Sequence, residues 1–143
     1  MAANLGTISK GRFVLRYGAG WYQPEYEAYG YVFPGPGTRV SMPKEGLKVV
    51  NGLLREERFS FSGRLYHVKD AINELKPPSR IPVMVGGGGE RIIGLAVEYG
   101  DAWDVGPGLK PDLYERKVEV LKREPGGWSD SRIRSSRACI SGC

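Results

Sequence analysis

The sequence predicts an α/β fold built from parallel βα units, and three observations carry that prediction. Residues 81–85, IPVMV, are continuously apolar, as a parallel strand covered on both faces must be. Strand-like and helix-like segments alternate in the order strand, helix, hairpin, strand, helix, strand, helix, strand, the pattern that builds parallel sheets. Three of the strands run into glycine clusters, at residues 18–20, 86–89 and 106–108. In parallel βα units the loops after the strands emerge on one side, and that side carries the ligand. All three clusters therefore belong to one candidate site.

Taken in order, Phe13–Tyr17 reads as a short buried strand opening into Gly18-Ala19-Gly20-Trp21. A long polar and aromatic loop is expected next, through the PGPG run at residues 34–37. A helix is expected from about Ser41, with Ser41 as its cap and Pro43 tolerated only in its first turn. Leu47, Val50 and Leu54 then share one face, opposite Lys44, Lys48, Asn51 and Arg55. Residues 58–71, RFSFSGRLYHVKDA, form two β-prone runs expected to turn at Ser62-Gly63. Ile81–Val85 is the next strand, and Pro82 costs it one donor near its start. An amphipathic helix over Glu90–Tyr99 follows, with Ile92, Ala96 and Tyr99 on a shared face and Gly100 as its stop. Asp101–Val105 reads as a third strand. Pro111 and Asp112 open a further helix, where proline at the first position and an acid in the first turn both suit the dipole. Tyr114, Val118 and Leu121 line its inner side, and Ile133–Ile140 is expected to be a last strand.

Bulk properties bound the function. A chain of 143 residues supports one ordinary domain. The formal net charge of +5 is spread along helices, apart from a late cluster at Arg132, Arg134 and Arg137. No basic stripe alternates with aromatics, which argues against nucleic acid as a partner. No apolar run approaches the roughly 20 residues needed to cross a bilayer, and the first twelve residues lack the apolar core of a secretory leader. The two cysteines, Cys139 and Cys143, have no metal-ligand company, and the lone His67 is distant in sequence. A reduced, cytoplasmic protein without a metal is the expectation.

The sharpest local signal is the run Gly86-Gly87-Gly88-Gly89 between an apolar strand and a helix. It presents backbone N–H groups at a helix N-terminus with no side chains in the way, which suits a phosphate or similar anion. The competing interpretation is a tight turn with nothing bound, for which one glycine suffices. A dinucleotide fingerprint fits poorly. With Gly86 and Gly88 as the first two glycines, Arg91 stands where the third is needed, and with Gly87 and Gly89 it is Ile92. Asp104 nevertheless lies about 20 residues on, where a ribose-binding acid is found in such folds. Trp21 either walls the site or packs on its rim. Glu25 is read as a ligand contact or as a capping or surface acid. Asp104, at the end of its strand, is the acid placed to reach the site, and His67 reads as a surface strand residue. No paired-carboxylate or Ser/His/Asp set can be assembled, so the catalytic residues stay unassigned.

Three blocks in order, GRFVLRYGAGWYQPEYEAYG, FSGRLYHVKDA and IPVMVGGGGERIIGLAVEYGDAWDVG, resemble the luciferase-like monooxygenase superfamily, most closely its oxidoreductases that use the deazaflavin coenzyme F420. The resemblance covers about residues 5–122 and leaves residues 123–143 only loosely matched. It implies part of a (β/α)8 barrel, one partial domain over residues 1–143 whose three preceding βα units are missing from the chain. It implies that the amides of Gly86, Gly87, Gly88 and Gly89, with Glu90 and Arg91 following, hold the cofactor phosphate. Gly18, Ala19, Gly20 and Trp21 would lie near the cofactor ring. The implied chemistry is hydride transfer between F420 and a carbon centre of a small-molecule substrate, or oxygen insertion with reduced flavin mononucleotide (FMN). Arg16 departs from the pattern, standing where the family usually has a small residue; it faces either the cofactor phosphate or the helix layer. A partial barrel also leaves sheet edges open, so a homo-oligomer or a completing chain is an expected partner, and a non-catalytic remnant is the alternative from another functional class.

Overall fold

The computed structural model describes residues 1–77, 79–106 and 109–133. Its centre is a three-stranded parallel sheet in the order β1-β4-β5, formed by β1 (Leu15–Gly18), β4 (Val83–Gly86) and β5 (Ala102–Asp104). The two residues Phe13 and Val14 precede β1 and do not pair, so this strand begins later than its apolar run indicates. The strands are accompanied by the helices α1 (Ala2–Ile8), α2 (Gln23–Ala28), α3 (Pro36–Arg55), α4 (Glu90–Tyr99) and α5 (Pro111–Arg123). The hairpin of β2 (Phe59–Ser62) and β3 (His67–Ala71) forms a separate antiparallel sheet.

Register decides which side chains share a face. Arg16, Met84 and Ala102 are paired neighbours across the sheet, as are Tyr17, Val85 and Trp103. Side chains alternate along a strand, so Tyr17, Val83, Val85 and Trp103 lie on one face. That face is packed by helices: Val83 and Val85 are fully buried in one cluster with Leu47 of α3 and Ile92, Ile93 and Ala96 of α4. The opposite face carries Arg16, Gly18, Met84, Gly86 and Asp104, of which Arg16 is exposed and Met84 and Asp104 are half-buried.

The helix α3 differs from its expected form. Its start is Pro36, not Ser41, and the PGPG run is its N-terminus rather than a loop. Proline at the first position has a φ already suited to a helix, and the backbone N–H it lacks is one that would have no partner there. Ser41 is therefore interior, its hydroxyl donating to the Gly37 carbonyl at 3.0 Å, and Pro43 lies inside the helix and buried. An interior proline costs about 3 kcal/mol. Burial of Pro43, Gly46 and Leu47 against the sheet offsets that cost. Gly46 is there because Tyr17 crosses the helix at that point, and a Cβ would strike the Tyr17 hydroxyl. Val50 and Leu54 are only half-buried, and the buried positions are Pro43, Gly46, Leu47 and Gly52, where small residues and proline let the helix sit close to its neighbours.

Glu45, on the same helix, holds the hairpin. Its carboxylate accepts the backbone N–H groups of Arg64, Leu65 and Tyr66 at 3.1, 2.8 and 3.1 Å. The hairpin turn spans Gly63 to Tyr66, closed by Gly63 N–H to the Tyr66 carbonyl at 2.9 Å, one residue beyond the expected Ser62-Gly63. Donation chiefly from Leu65 holds the Glu45 carboxyl below its usual range.

α4 occupies its expected span, but burial is not confined to one stripe. Ile92, Ile93, Leu95, Ala96 and Val97 are all buried, because the helix is enclosed by the sheet, α3 and α5 together. α5 also matches, with Leu121 buried and Tyr114 and Val118 packed against the core. After it, Trp128 and Ile133 return to the core, and residues 130–133 are helical. The rest of the expected strand, residues 134–140, lies outside the described residues, as do Arg134, Arg137, Cys139 and Cys143. The loop expected after β1 contains α2, whose first turn includes Pro24 and the exposed Glu25.

Candidate functional site

The C-terminal ends of the three strands meet in register. Gly18 pairs with Gly86, and Gly86 pairs with Asp104. Two of the three glycine turns expected to share one site, those after β1 and β4, therefore leave the sheet side by side. The close approach depends on missing side chains: a Cβ on Gly18 would sit 3.2 Å from the Gly86 carbonyl oxygen.

Gly87 has φ 141°, a conformation open to glycine and strained for other residues. Its N–H donates to the Asp104 carbonyl at 2.7 Å, and its own carbonyl accepts the Trp103 indole N–H at 2.9 Å. Trp103 also stacks on Tyr114, with ring centroids 6.0 Å apart. The turn is thus tied to β5 at both groups of Gly87. Gly88 and Gly89 then lead into α4, with Gly89 at the N-cap and no side chain capping the helix. A Cβ on Gly89 would meet nothing within 4 Å, so this turn borders open space. Uncapped N–H groups at a helix start, bordered by space, can accept an anion.

Glu90 and Arg91 begin α4 and are exposed. Both line a groove of about 740 Å³ on the helix side, bounded also by Lys44 and Glu98. What these two residues present to the turn is their backbone. Trp21 lies beyond Gly20 and is 83% exposed, with its ring 5.2 Å from that of Tyr22. The Gly20 carbonyl accepts a long hydrogen bond from Arg39 of α3 at 3.4 Å.

Sequence reasoning left Arg16 between two faces and treated Asp104 as a separate acid. The structure joins them on the face away from the helices. Arg16 Nε and Nη2 both lie 2.8 Å from Asp104 Oδ2. The guanidinium crosses Gly86 to get there, and a Cβ on Gly86 would be 2.7 Å from Nη2. Asp104 Oδ1 accepts the Gly106 N–H at 2.8 Å. Asp101, by contrast, serves the other end of the sheet, accepting the Val83 N–H at 3.0 Å and pairing with Arg80. His67 is exposed on β3, in the separate hairpin sheet. Among the described residues no set of three His, Cys, Asp or Glu side chains could hold a metal, and no helix is long and apolar enough to cross a membrane.

The family model for luciferase-like monooxygenases matches residues 1–141. The chain belongs to the luciferase-like monooxygenase family. Among its relatives, an F420-dependent glucose-6-phosphate dehydrogenase of Kineococcus radiotolerans is 31% identical over 122 residues, 85% of this chain and 36% of that protein. The pyrimidine monooxygenase RutA of Allorhizobium ampelinum is 29% identical over 110 residues, 76% of this chain and 30% of that protein. Among solved structures, the coenzyme F420-dependent tetrahydromethanopterin reductase of Methanopyrus kandleri superposes with a TM-score of 0.73 at 23% identity, covering 92% of this chain and 42% of that one. The luciferase-like chain described here therefore has the fold of part of the (β/α)8 barrel, and it spans little more than a third of the length of the curated relatives it matches. In that frame the glycine turns sit at the strand ends, and the face bearing Arg16 and Asp104 is the one turned away from the outer helices.

Proposed function

We propose that this chain carries the phosphate-holding part of the cofactor cleft of an F420-dependent oxidoreductase, and that the whole protein transfers hydride between F420 and an organic substrate. The observation that carries the reading is the in-register meeting of Gly18, Gly86 and Asp104, which sets an uncapped helix start beside a second glycine turn. The fit to a phosphate rests on three features. Gly88 and Gly89 leave the approach to the turn clear of side chains, the N–H groups of Gly88, Gly89, Glu90 and Arg91 would face the bound oxygens, and the dipole of α4 favours negative charge. Gly18 and Gly20 would border the ring through their backbones, their missing side chains making room for the Gly86 carbonyl and the Tyr26 ring, and the exposed indole of Trp21 covers it from water. Bound F420 supplies the hydride-carrying carbon; this chain binds the tail, orients the ring and limits solvent.

The F420-dependent relatives favour that cofactor, and the monooxygenase among the relatives favours a second reading, in which the same turn holds the phosphate of reduced FMN and the reaction is oxygen insertion. The small share of each relative that the chain spans supports a barrel closed by further strands, from a longer chain or a partner copy. The paired absence of a basic stripe and of metal-ligand cysteines agrees with a cytoplasmic enzyme acting on a small molecule. The test is a fluorescence titration of the protein with oxidised F420 and, separately, FMN. Saturable binding of F420 supports the main reading and binding of FMN alone the second. Binding of neither would refute both.

A further inference from the structure

We propose that Arg16 and Asp104 form a positioning pair that holds the turns after β4 and β5 in place, so that phosphate binding at residues 88–91 depends on an ion pair that does not touch the phosphate. The inference rests on the phosphate reading above and goes beyond it to residues outside the turn.

Asp104 is the point where the turns are joined. Its carbonyl oxygen fixes Gly87, the residue at φ 141°, and its Oδ1 fixes the N–H of Gly106, where φ is 81°. Both turns therefore depend on one residue. The side chain of Asp104 stands at the end of a three-residue strand, with Oδ1 on the Gly106 N–H and Oδ2 turned toward β1. Arg16 holds that second oxygen: two of its nitrogens reach Oδ2 from β1, across the full width of the sheet. Gly86 leaves the channel in which the guanidinium lies. The arrangement links β1, β4 and β5 at the ends from which the turns emerge.

The pair also sets local charge. A lone Asp104 carboxylate beside an anion site would repel phosphate, and Arg16 neutralises it. Loss of Arg16 thus acts twice, loosening Gly106 and exposing a negative charge. Both effects weaken phosphate binding while leaving the helix-covered core untouched, because Val83 and Val85 face the other way.

The experiment compares the protein with its Arg16→Met, Arg16→Lys and Asp104→Asn variants by backbone amide NMR. Hydrogen exchange is read at Gly87, Gly106, Val83 and Val85, and shifts at Gly88–Arg91 are followed during titration with inorganic phosphate. Arg16→Met and Asp104→Asn are expected to speed exchange at Gly87 and Gly106 but not at Val83 and Val85; Arg16→Met is expected to weaken phosphate binding at least about threefold, and Asp104→Asn, which leaves the Arg16 charge in place without an acid beside it, to weaken it less. Arg16→Lys keeps the charge with one donor group and is expected to recover part of both effects. Unchanged exchange at Gly87 and Gly106 would overturn the proposal, and so would equal acceleration at Val83 and Val85, the mark of a general stability contact. If the unaltered protein shows no phosphate response, the cofactor reading fails, while the exchange comparison still decides the pair.

Discussion

The substitution Gly86→Ala separates two physical accounts of the sheet end. A Cβ there would lie 2.7, 2.8 and 3.1 Å from Nη2, Cζ and Nε of Arg16. Contacts under 3 Å cannot persist, so something must move. The atoms struck are the far end of a flexible side chain, so Arg16 swings off Asp104 and the backbone stays. The cost is then that of the ion pair. With the side chains 53% and 28% exposed, solvent screens the pair, and its loss costs about 0.2–1 kcal/mol. Against this, alanine restricts the unfolded chain more than glycine and stabilises by about 0.4–1 kcal/mol where the backbone permits it. Gly86 does not have a positive φ, so the backbone permits it. The net change is expected within about 1 kcal/mol of zero. In an Arg16→Ala background the clash is gone and only the chain-entropy effect remains, so Gly86→Ala should stabilise by about 0.4–1 kcal/mol. Urea unfolding of the four proteins, followed by far-UV circular dichroism, measures the cycle. A cost of more than about 2 kcal/mol in both backgrounds would refute the reasoning, because it would mean a backbone or core clash rather than a displaced guanidinium.

Three other outcomes follow from the packing. Leu47→Ala empties a fully buried position between α3 and the sheet and should cost about 3–5 kcal/mol in the same unfolding assay, against less than about 0.5 kcal/mol for Trp21→Ala, whose ring is exposed. The Glu45 carboxyl is held below its ordinary value of 4.5 by the hairpin N–H groups, so its contribution is complete above that pH and is lost as pH falls through the lowered value. Glu45→Gln should therefore flatten the acid limb of a stability-versus-pH curve between these values. Tyr17 is raised from 10.0 to about 12, chiefly by burial. Its neutral form is favoured in the fold, so the stability it contributes is whole below pH 10 and is lost as pH rises toward 12, a limb that Tyr17→Phe should remove in alkaline unfolding.

Periodicity and punctuation made the central layer legible. The apolar run at 81–85, the four glycines and the stop at Gly100 located β4 and α4, because each signal is local to the element it defines. The start of α3 was not legible because Pro43, tolerated only in a first turn, points to a start near Ser41, while Pro36 suits the first position as well. α1 and α2 carry no strong local stripe: Gly6 of α1 is packed against Ile81, a contact that no sequence window contains. Trp128 was lost for the same reason, since its burial depends on the chain folding back after α5. The site was legible as glycines and illegible as geometry. That Gly18, Gly86 and Asp104 stand abreast is a matter of register, and Arg16 meets Asp104 across 88 positions of sequence. The face alternation of β1 could have placed Arg16 opposite Tyr17, but only the position of Gly46 on α3 shows which of those two faces is covered.

The claim that the turn at 86–89 holds a cofactor phosphate is tested most directly by mapping backbone amide shifts while the protein is titrated with F420. The account predicts saturable binding with the largest shifts at Gly88, Gly89, Glu90 and Arg91 and smaller ones at Gly18 and Gly20. Shifts confined to the outer groove beside Lys44 and Glu98, with the glycine turn silent, would contradict it.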